Sequence, residues 1–272
     1  MTHLLRILFI ALLVFISACA GEPPPEQEAS TAEVIAPAVQ EPPADNSLKN
    51  AIAPTPDENQ LAQDTDLGSW TGDLDVMEQR RVIRVLTVYS VGRYYMDGIE
   101  EKGLVWETGR RFEQFINKRM KRKHIKVHVV IIPVARNQLI PALLEGRGDI
   151  IDASLSITAE RRNLLDFSIP ASKPLSEVLV TGPSAPPLAS IDDLSGRTLY
   201  VRHSSSYRES VEELNERFAA EGREPVRIEP VSELLEDDEL VEMVNAGMLP
   251  WAIIDEYKMQ LWDSVFTELT VR

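Results

Sequence analysis

NQLIPALLEGRGDIIDASLSITAERRNLLDFS, residues 137–168, reads as a helix, a strand and the opening of a second helix. Asn137 can cap the first helix, whose apolar face carries Leu139, Ile140, Leu143 and Leu144. Pro141 falls in its first turn, where a missing N–H costs little. Gly146 suits the left-handed residue that stops a helix, and Gly148 turns the chain into a strand expected over Ile150 to Ser156. Thr158 then stands as the N-cap of the second helix, with Glu160 in its first turn. Arg161 follows, beside a strand end that offers Ser154 and Ser156. Strand ends leading into helix N-termini are where open α/β sheets take ligands, so this stretch forms half of an anion-recognising cleft.

The run LLEGRGDII…SLSITAERRNLLDFS resembles the signature of the family 3 extracytoplasmic solute-binding proteins. The resemblance implies an α/β, periplasmic-binding-protein-like two-lobe fold (type II) and a ligand of the amino-acid kind. A second match follows in PSAPPLASIDDLSGRTLYVRHSSSY, where an Asp-Leu-x-Gly turn leads into a strand and a serine loop at residues 203–206. That loop opens a helix from Tyr207 to Glu221, so hydroxyls and backbone N–H groups meet at a helix N-terminus. Ser204 departs from the family pattern, in which glycine is usual at that point. Asp255 ends an apolar strand over Trp251 to Ile254. The resemblance assigns it to a ligand ammonium and Arg161 to a ligand carboxylate; helix capping is the alternative role of Asp255, and a surface ion pair with Glu160 or Asp166 that of Arg161.

The flanks say where the chain works. Of 272 residues, 1–19 form a short apolar run after Arg6 that ends Ile16-Ser17-Ala18-Cys19. This is read as a lipoprotein signal peptide with Cys19, the only cysteine, as the lipidation site. The alternative is an ordinary signal peptide or anchor helix in which Cys19 is incidental. Ala20 in the following position points to the outer membrane rather than the inner. Residues 20–79 hold thirteen acidic residues against Lys49 alone and few aromatics, and read as a disordered Pro/Glu/Ala-rich tether. Most of the net charge of −15 therefore lies outside the folded part and says nothing about its ligand.

Within the folded part, Val82 to Val88 is the natural first strand and Ser176 to Gly182 the strand expected to cross between lobes, with lobe 1 over 80–180 and lobe 2 over 181–272. The loop after the first strand carries Tyr94 and Tyr95, read either as ligand contacts or as packing. Lys118 to His128 is basic, but it reads as a solvated helix end without a nucleic-acid motif. The Arg147-Gly148-Asp149 tripeptide reads as a turn, not as an adhesive motif. No cofactor, metal site or nucleic-acid partner is expected.

Tyr94 to Gly98 and the run ELVEMVNAGMLPWAIIDEYKMQLWDSVFTELTV are similar to the N-terminal domain of membrane-bound lytic murein transglycosylase F. In that family a solute-binding-type domain precedes a catalytic domain that cleaves peptidoglycan. Glu209-Ser210 is the one dipeptide of the catalytic type, but it lies in the first turn of a polar helix, where nothing would raise the acid's pKa. No catalytic residue is therefore assigned. Relatives cross back into lobe 1 near residue 272, so the sequence leads one to expect lobe 1 to be incomplete at its C-terminus. Two functions remain. One is a lipid-anchored sensor domain for an amino acid or peptide-like ligand such as a muropeptide, partnered with a peptidoglycan enzyme. The other is a lipoprotein receptor delivering a small zwitterion to a transporter permease. Tyr94, Tyr95, Ser154, Ser156, Arg161, Ser205, Ser206 and Asp255 are the candidate ligand contacts in both.

Overall fold

The structure, a computed structural model, describes residues 50–53, 68–121, 124–170, 173, 176–262 and 264–272. Cys19, the signal-peptide reading of residues 1–19 and most of the tether lie outside them.

The first lobe is built on β1 (Val82–Thr87), which pairs in parallel with β4 (His128–Pro133) on one side and β5 (Ile150–Ile151) on the other. A short hairpin, β2 (Tyr95–Asp97) and β3 (Glu100–Lys102), leads into α2 (Leu104–Arg119). Val105 and Ile116 of α2 pack on Ile83, Val85, Val129 and Ile131, giving a parallel sheet covered by a helix. α3 (Leu139–Leu144) covers the other end of the sheet, with Leu139 and Ala142 against Leu86 and Ile132. Gly146 ends it at φ 71, the left-handed conformation expected of it.

The second lobe contains two sheets. β6 (Glu177–Thr181) lies between β9 (Trp251–Asp255) and β10 (Thr270–Val271), antiparallel to both, and β7 (Thr198–Arg202) pairs in parallel with β8 (Arg227–Val231). Between them run α5 (Ser206–Ala220), α6 (Asp237–Asn245) and α7 (Glu256–Trp262). Leu199, Val201, Val211, Phe218 and Trp251 form one core, and the Trp251 indole N–H donates to the Thr198 carbonyl at 2.9 Å, tying the two sheets together. Gly182, just past β6, lies so close to α6 that a Cβ there would sit 2.1 Å from the Val244 carbonyl oxygen.

Two expectations change. The strand placed over residues 150–156 stops after Ile151, because the chain swings out of the sheet and Ser154 adopts a left-handed φ of 47. The folded part also starts before residue 80. Leu74–Arg80 is a helix, α1, and the Trp70 N–H donates to the Gly146 carbonyl at 2.8 Å. The Trp70 ring lies 4.6 Å from the guanidinium of Arg84, a residue of β1 that is fully buried. Ile52, 2% exposed, packs in the second lobe among Val231, Leu240, Val244 and Leu249.

The Arg147-Gly148-Asp149 tripeptide is structural. A Cβ on Gly148 would lie 2.3 Å from the Leu86 side chain. Asp149, its side chain 2% exposed, accepts hydrogen bonds from the Arg84 backbone N–H and guanidinium and from Arg80. Those bonds hold its carboxyl below the usual range against the opposing effect of burial.

Candidate functional site

The polar elements of the two lobes converge between α4 (Ala159–Arg162) and the N-terminus of α5. Thr158 caps α4 as its residue type requires, its side chain accepting from the Arg161 N–H at 3.3 Å. That cap turns Arg161 inward, where it is 9% exposed, while Arg162 faces solvent. The Arg161 guanidinium donates to the Ser156 carbonyl at 3.1 Å and, across the cleft, to the Ser204 carbonyl at 2.9 Å. Among the described residues it has no ion-pair partner; neither Glu160 nor Asp166 takes that role. Burial draws its pKa below the ordinary arginine value, with Glu209 and Glu160 opposing and Arg136 adding to the effect.

Two further contacts cross from lobe to lobe. The Ser206 hydroxyl donates to the Ser156 hydroxyl at 3.0 Å. Arg136, in the 3-10 turn Arg136–Gln138, grips both oxygens of Glu236 with its Nε and Nη2, the Nε distances being 2.8 and 3.1 Å. Planar bidentate pairing of this kind fixes geometry as well as adding attraction. Ser205 caps α5, accepting from the Tyr207 N–H at 3.2 Å, and Ser204 turns its hydroxyl and N–H to Glu233. The lobes are thus closed on each other, and the polar cavity between them measures about 20 Å³, room for roughly one water molecule.

The floor of this cavity is a charge cluster. Asp237, in the first turn of α6, pairs with Arg202 of β7 and with Lys258 of α7, and accepts the Tyr207 hydroxyl at 3.0 Å. Lys258 also pairs with Asp255 at 2.9 Å and meets the Tyr207 oxygen at 3.0 Å. Burial alone would raise the Asp237 carboxyl; Arg202 and Lys258 overcome it and hold the pKa far below the usual range. Burial likewise opposes the Lys258 ammonium, yet Asp237 and Asp255 leave its pKa above the ordinary lysine value.

A second cavity of about 170 Å³ adjoins the first and shares Arg136, Ser154, Asp237 and Lys258 with it. Val91, Leu104, Val241, Ile254, Leu261 and Trp262 give it an apolar wall.

Of the residues singled out in the sequence, Ser154, Ser156, Arg161, Ser205, Ser206 and Asp255 meet at the polar cavity. Tyr94 and Tyr95 do not line either cavity. Tyr94 is 6% exposed in the first lobe's core, where burial and its hydrogen bond to Glu101 push the phenol up to about 12. Tyr95 lies half-buried on β2, and the same loop instead supplies Ser90 to Arg93 to the larger cavity. Arg136, Arg202, Glu236, Asp237 and Lys258 were not singled out. The acidic run Glu236 to Glu239 before an apolar helix is a readable signal for a capping box, which forms here between Glu236 and Glu239. Lys258, three residues beyond Asp255, is readable as a helical ion pair.

Comparison with known proteins places this geometry. The sequence model of the bacterial extracellular solute-binding proteins, family 3, matches residues 111–250. Membrane-bound lytic murein transglycosylase F of Aeromonas hydrophila is 25% identical over 201 residues, covering 74% of this chain and 37% of that protein. Across the relatives of that name, the chain spans between 37% and 40% of their length. Among solved structures, an ancestral arginine-binding protein bound to arginine superposes with a TM-score of 0.53 at 19% identity, over 71% of this chain and 78% of the other. The ancestral amino-acid-binding protein AncCDT-1, a precursor of cyclohexadienyl dehydratase, gives 0.54 at 20% identity, over 73% and 79%. At such identities the superpositions establish the two-lobe fold.

Proposed function

The chain belongs to the bacterial extracellular solute-binding proteins, family 3, and from that premise we propose that its cleft binds an amino-acid-derived or peptide-like carboxylate. The observation that carries this reading is Arg161, a buried guanidinium at the lobe interface whose charge no carboxylate among the described residues matches. A guanidinium held by two backbone carbonyls keeps further N–H groups for a planar, two-oxygen acceptor. Ser156 and Ser206, already bonded to each other across the cleft, would turn their hydroxyls to the same anion as the lobes reopen and close on it.

In this reading the protein is a periplasmic sensor domain, lipid-anchored through Cys19 to the outer membrane, and its ligand state informs a peptidoglycan-cleaving enzyme. The support is the likeness to membrane-bound lytic murein transglycosylase F. A receptor that hands an amino acid to a transporter permease is the second reading, favoured by the fold shared with amino-acid-binding proteins. Native mass spectrometry separates the readings: the protein is exposed to a muropeptide digest and to an amino-acid mixture, and the retained species is weighed. Retention of a peptide-like carboxylate by the wild type and its loss in Arg161→Ala is the expected result. Retention of the same species by both proteins refutes the role of Arg161, and retention of free amino acids alone favours the transport reading.

A further inference from the structure

We propose that the ligand of this cleft carries no free α-ammonium: the group that would be the ligand's α-amine is supplied by the protein itself, as Lys258. This rests on the reading of the cleft as a carboxylate site. The argument is a matching of charges around the polar cavity. Arg136 is paired with Glu236, Arg202 with Asp237, and Lys258 with both Asp237 and Asp255. Among the described residues, no carboxylate of the polar cavity's wall is left without a cation, and one cation, Arg161, has no ion-pair partner, Glu209 and Glu160 acting on it only from beyond contact. The wall of the polar cavity therefore offers a place for one negative charge and none for a positive charge on the neighbouring α-position.

The pairing of Lys258 is built in rather than incidental. Lys258 sits one helical turn beyond Asp255 at the start of α7, so the i,i+3 spacing brings the two together. Its ammonium has three acceptors, namely Asp255 at 2.9 Å, the Tyr207 oxygen at 3.0 Å and Asp237, which is the full donor capacity of the group. The side chains of Lys258 and Asp255 are 18% and 14% exposed, so little water screens them. An incoming ammonium would have to expel Lys258, and that would leave Asp237 with Arg202 as its sole cation in the cluster. Alternatively it would sit beside Lys258 on one carboxylate, where like charges repel.

The neighbouring cavity shows what replaces the amine. It meets the polar cavity at Arg136, Ser154, Asp237 and Lys258, and much of its wall is apolar; of its carboxylates Glu236 and Asp237 are paired, while Asp238, which burial draws toward its protonated form, lies outside the polar cavity that holds Arg161. An N-acylated amino acid, or a peptide whose amino end is blocked, has a carboxylate for Arg161 and an uncharged amide with an apolar extension for that wall.

Titration calorimetry of the full chain with matched probes tests the proposal: L-alanine, L-glutamate, L-arginine and L-alanyl-L-alanine, each against its Nα-acetyl form. In the wild type the acetylated member of the best-binding pair is expected to bind about tenfold or more tightly, the effect of one charge-assisted hydrogen bond made or denied. Lys258→Met, which exposes Asp255, is expected to reverse the order, and Lys258→Arg, which keeps a cation there, to preserve it. The wild-type comparison stands even if Lys258→Met fails to fold. Equal or tighter binding of the free amines by the wild type overturns the proposal and leaves the carboxylate role of Arg161 standing. Binding of neither member of any pair overturns both.

Discussion

Asp237→Asn removes one charge from the middle of the cavity floor and leaves the shape nearly unchanged. Asp237 lies between Arg202 and Lys258, with side-chain exposures of 8%, 3% and 18% for the three. Coulomb attraction at contact distance is on the order of 4 kcal/mol per pair at an effective dielectric constant near 20, largely offset by the desolvation of both partners. The measurable quantity is the penalty for leaving two buried cations with one carboxylate fewer, about 3–5 kcal/mol for breaking a buried pair. Asparagine keeps an acceptor for Arg202, so a loss of about 3 kcal/mol is expected in urea unfolding at neutral pH. Asp192→Asn is the comparison: Asp192 and Arg217 are 37% and 45% exposed, and solvent screening should make that loss much the smaller of the two. The pH dependence has a definite sign. The folded pKa of Asp237 is depressed below the ordinary 3.8, so its contribution is complete above that value and is lost as pH falls through the folded pKa. The gap between wild type and Asp237→Asn should therefore hold steady from pH 8 to 5 and narrow only in strong acid. A loss under about 1 kcal/mol at neutral pH would show the cluster to be solvated and the cavity floor not fixed in advance of binding.

Glu239 has its carboxyl raised to about 7 by burial and by Asp238, so the folded state favours the protonated form. Stability should rise by on the order of 1–3 kcal/mol as pH falls from 8 toward 4.5, and Glu239→Gln, which retains an acceptor for the Glu236 N–H, should flatten that rise in thermal melts. Gly182→Ala sets a Cβ against the Val244 carbonyl and should lower stability by about 1–3 kcal/mol through a displaced α6, whereas an unchanged midpoint in urea refutes the close approach. Ile52→Ala should cost about 2–4 kcal/mol if the segment before the first lobe is part of the second lobe's core, and nothing if it is a tether there. Cys19→Ala should abolish incorporation of radiolabelled fatty acid; equal label in both proteins removes the lipid anchor.

How much of this was legible follows from the range of the interactions involved. The caps and turns were readable because their partners lie within a few residues: Thr158 with the Arg161 N–H, Ser205 with the Tyr207 N–H, and Gly146 at its left-handed φ. The inward turn of Arg161 follows from that same local cap. Ile52 and Trp70 were hidden in a stretch whose average composition is that of a disordered chain, and their partners, Val231 and Gly146, lie far away in sequence. Arg84 itself, a charged residue inside an apolar strand, is intelligible only with Asp149 folded beside it. Tyr94 was left open between ligand contact and packing, because an aromatic in such a loop has the same local signature whether it packs inward or outward, and here it packs inward. Lys258 had a readable partner in Asp255, but its second partner, Asp237, comes from another helix, and only the two together make a closed charge cluster.

The most direct test of the account compares two adjacent arginines. Arg161 is buried in the cleft and Arg162 is exposed, so calorimetry of Arg161→Ala and Arg162→Ala with the tightest ligand of the wild type isolates the cleft from general charge effects. The account predicts a loss of about 3–5 kcal/mol for Arg161→Ala, because a ligand carboxylate would be left unpaired in a closed cleft, and under about 0.5 kcal/mol for Arg162→Ala. Equal losses in the two variants, or full affinity in Arg161→Ala, would contradict it.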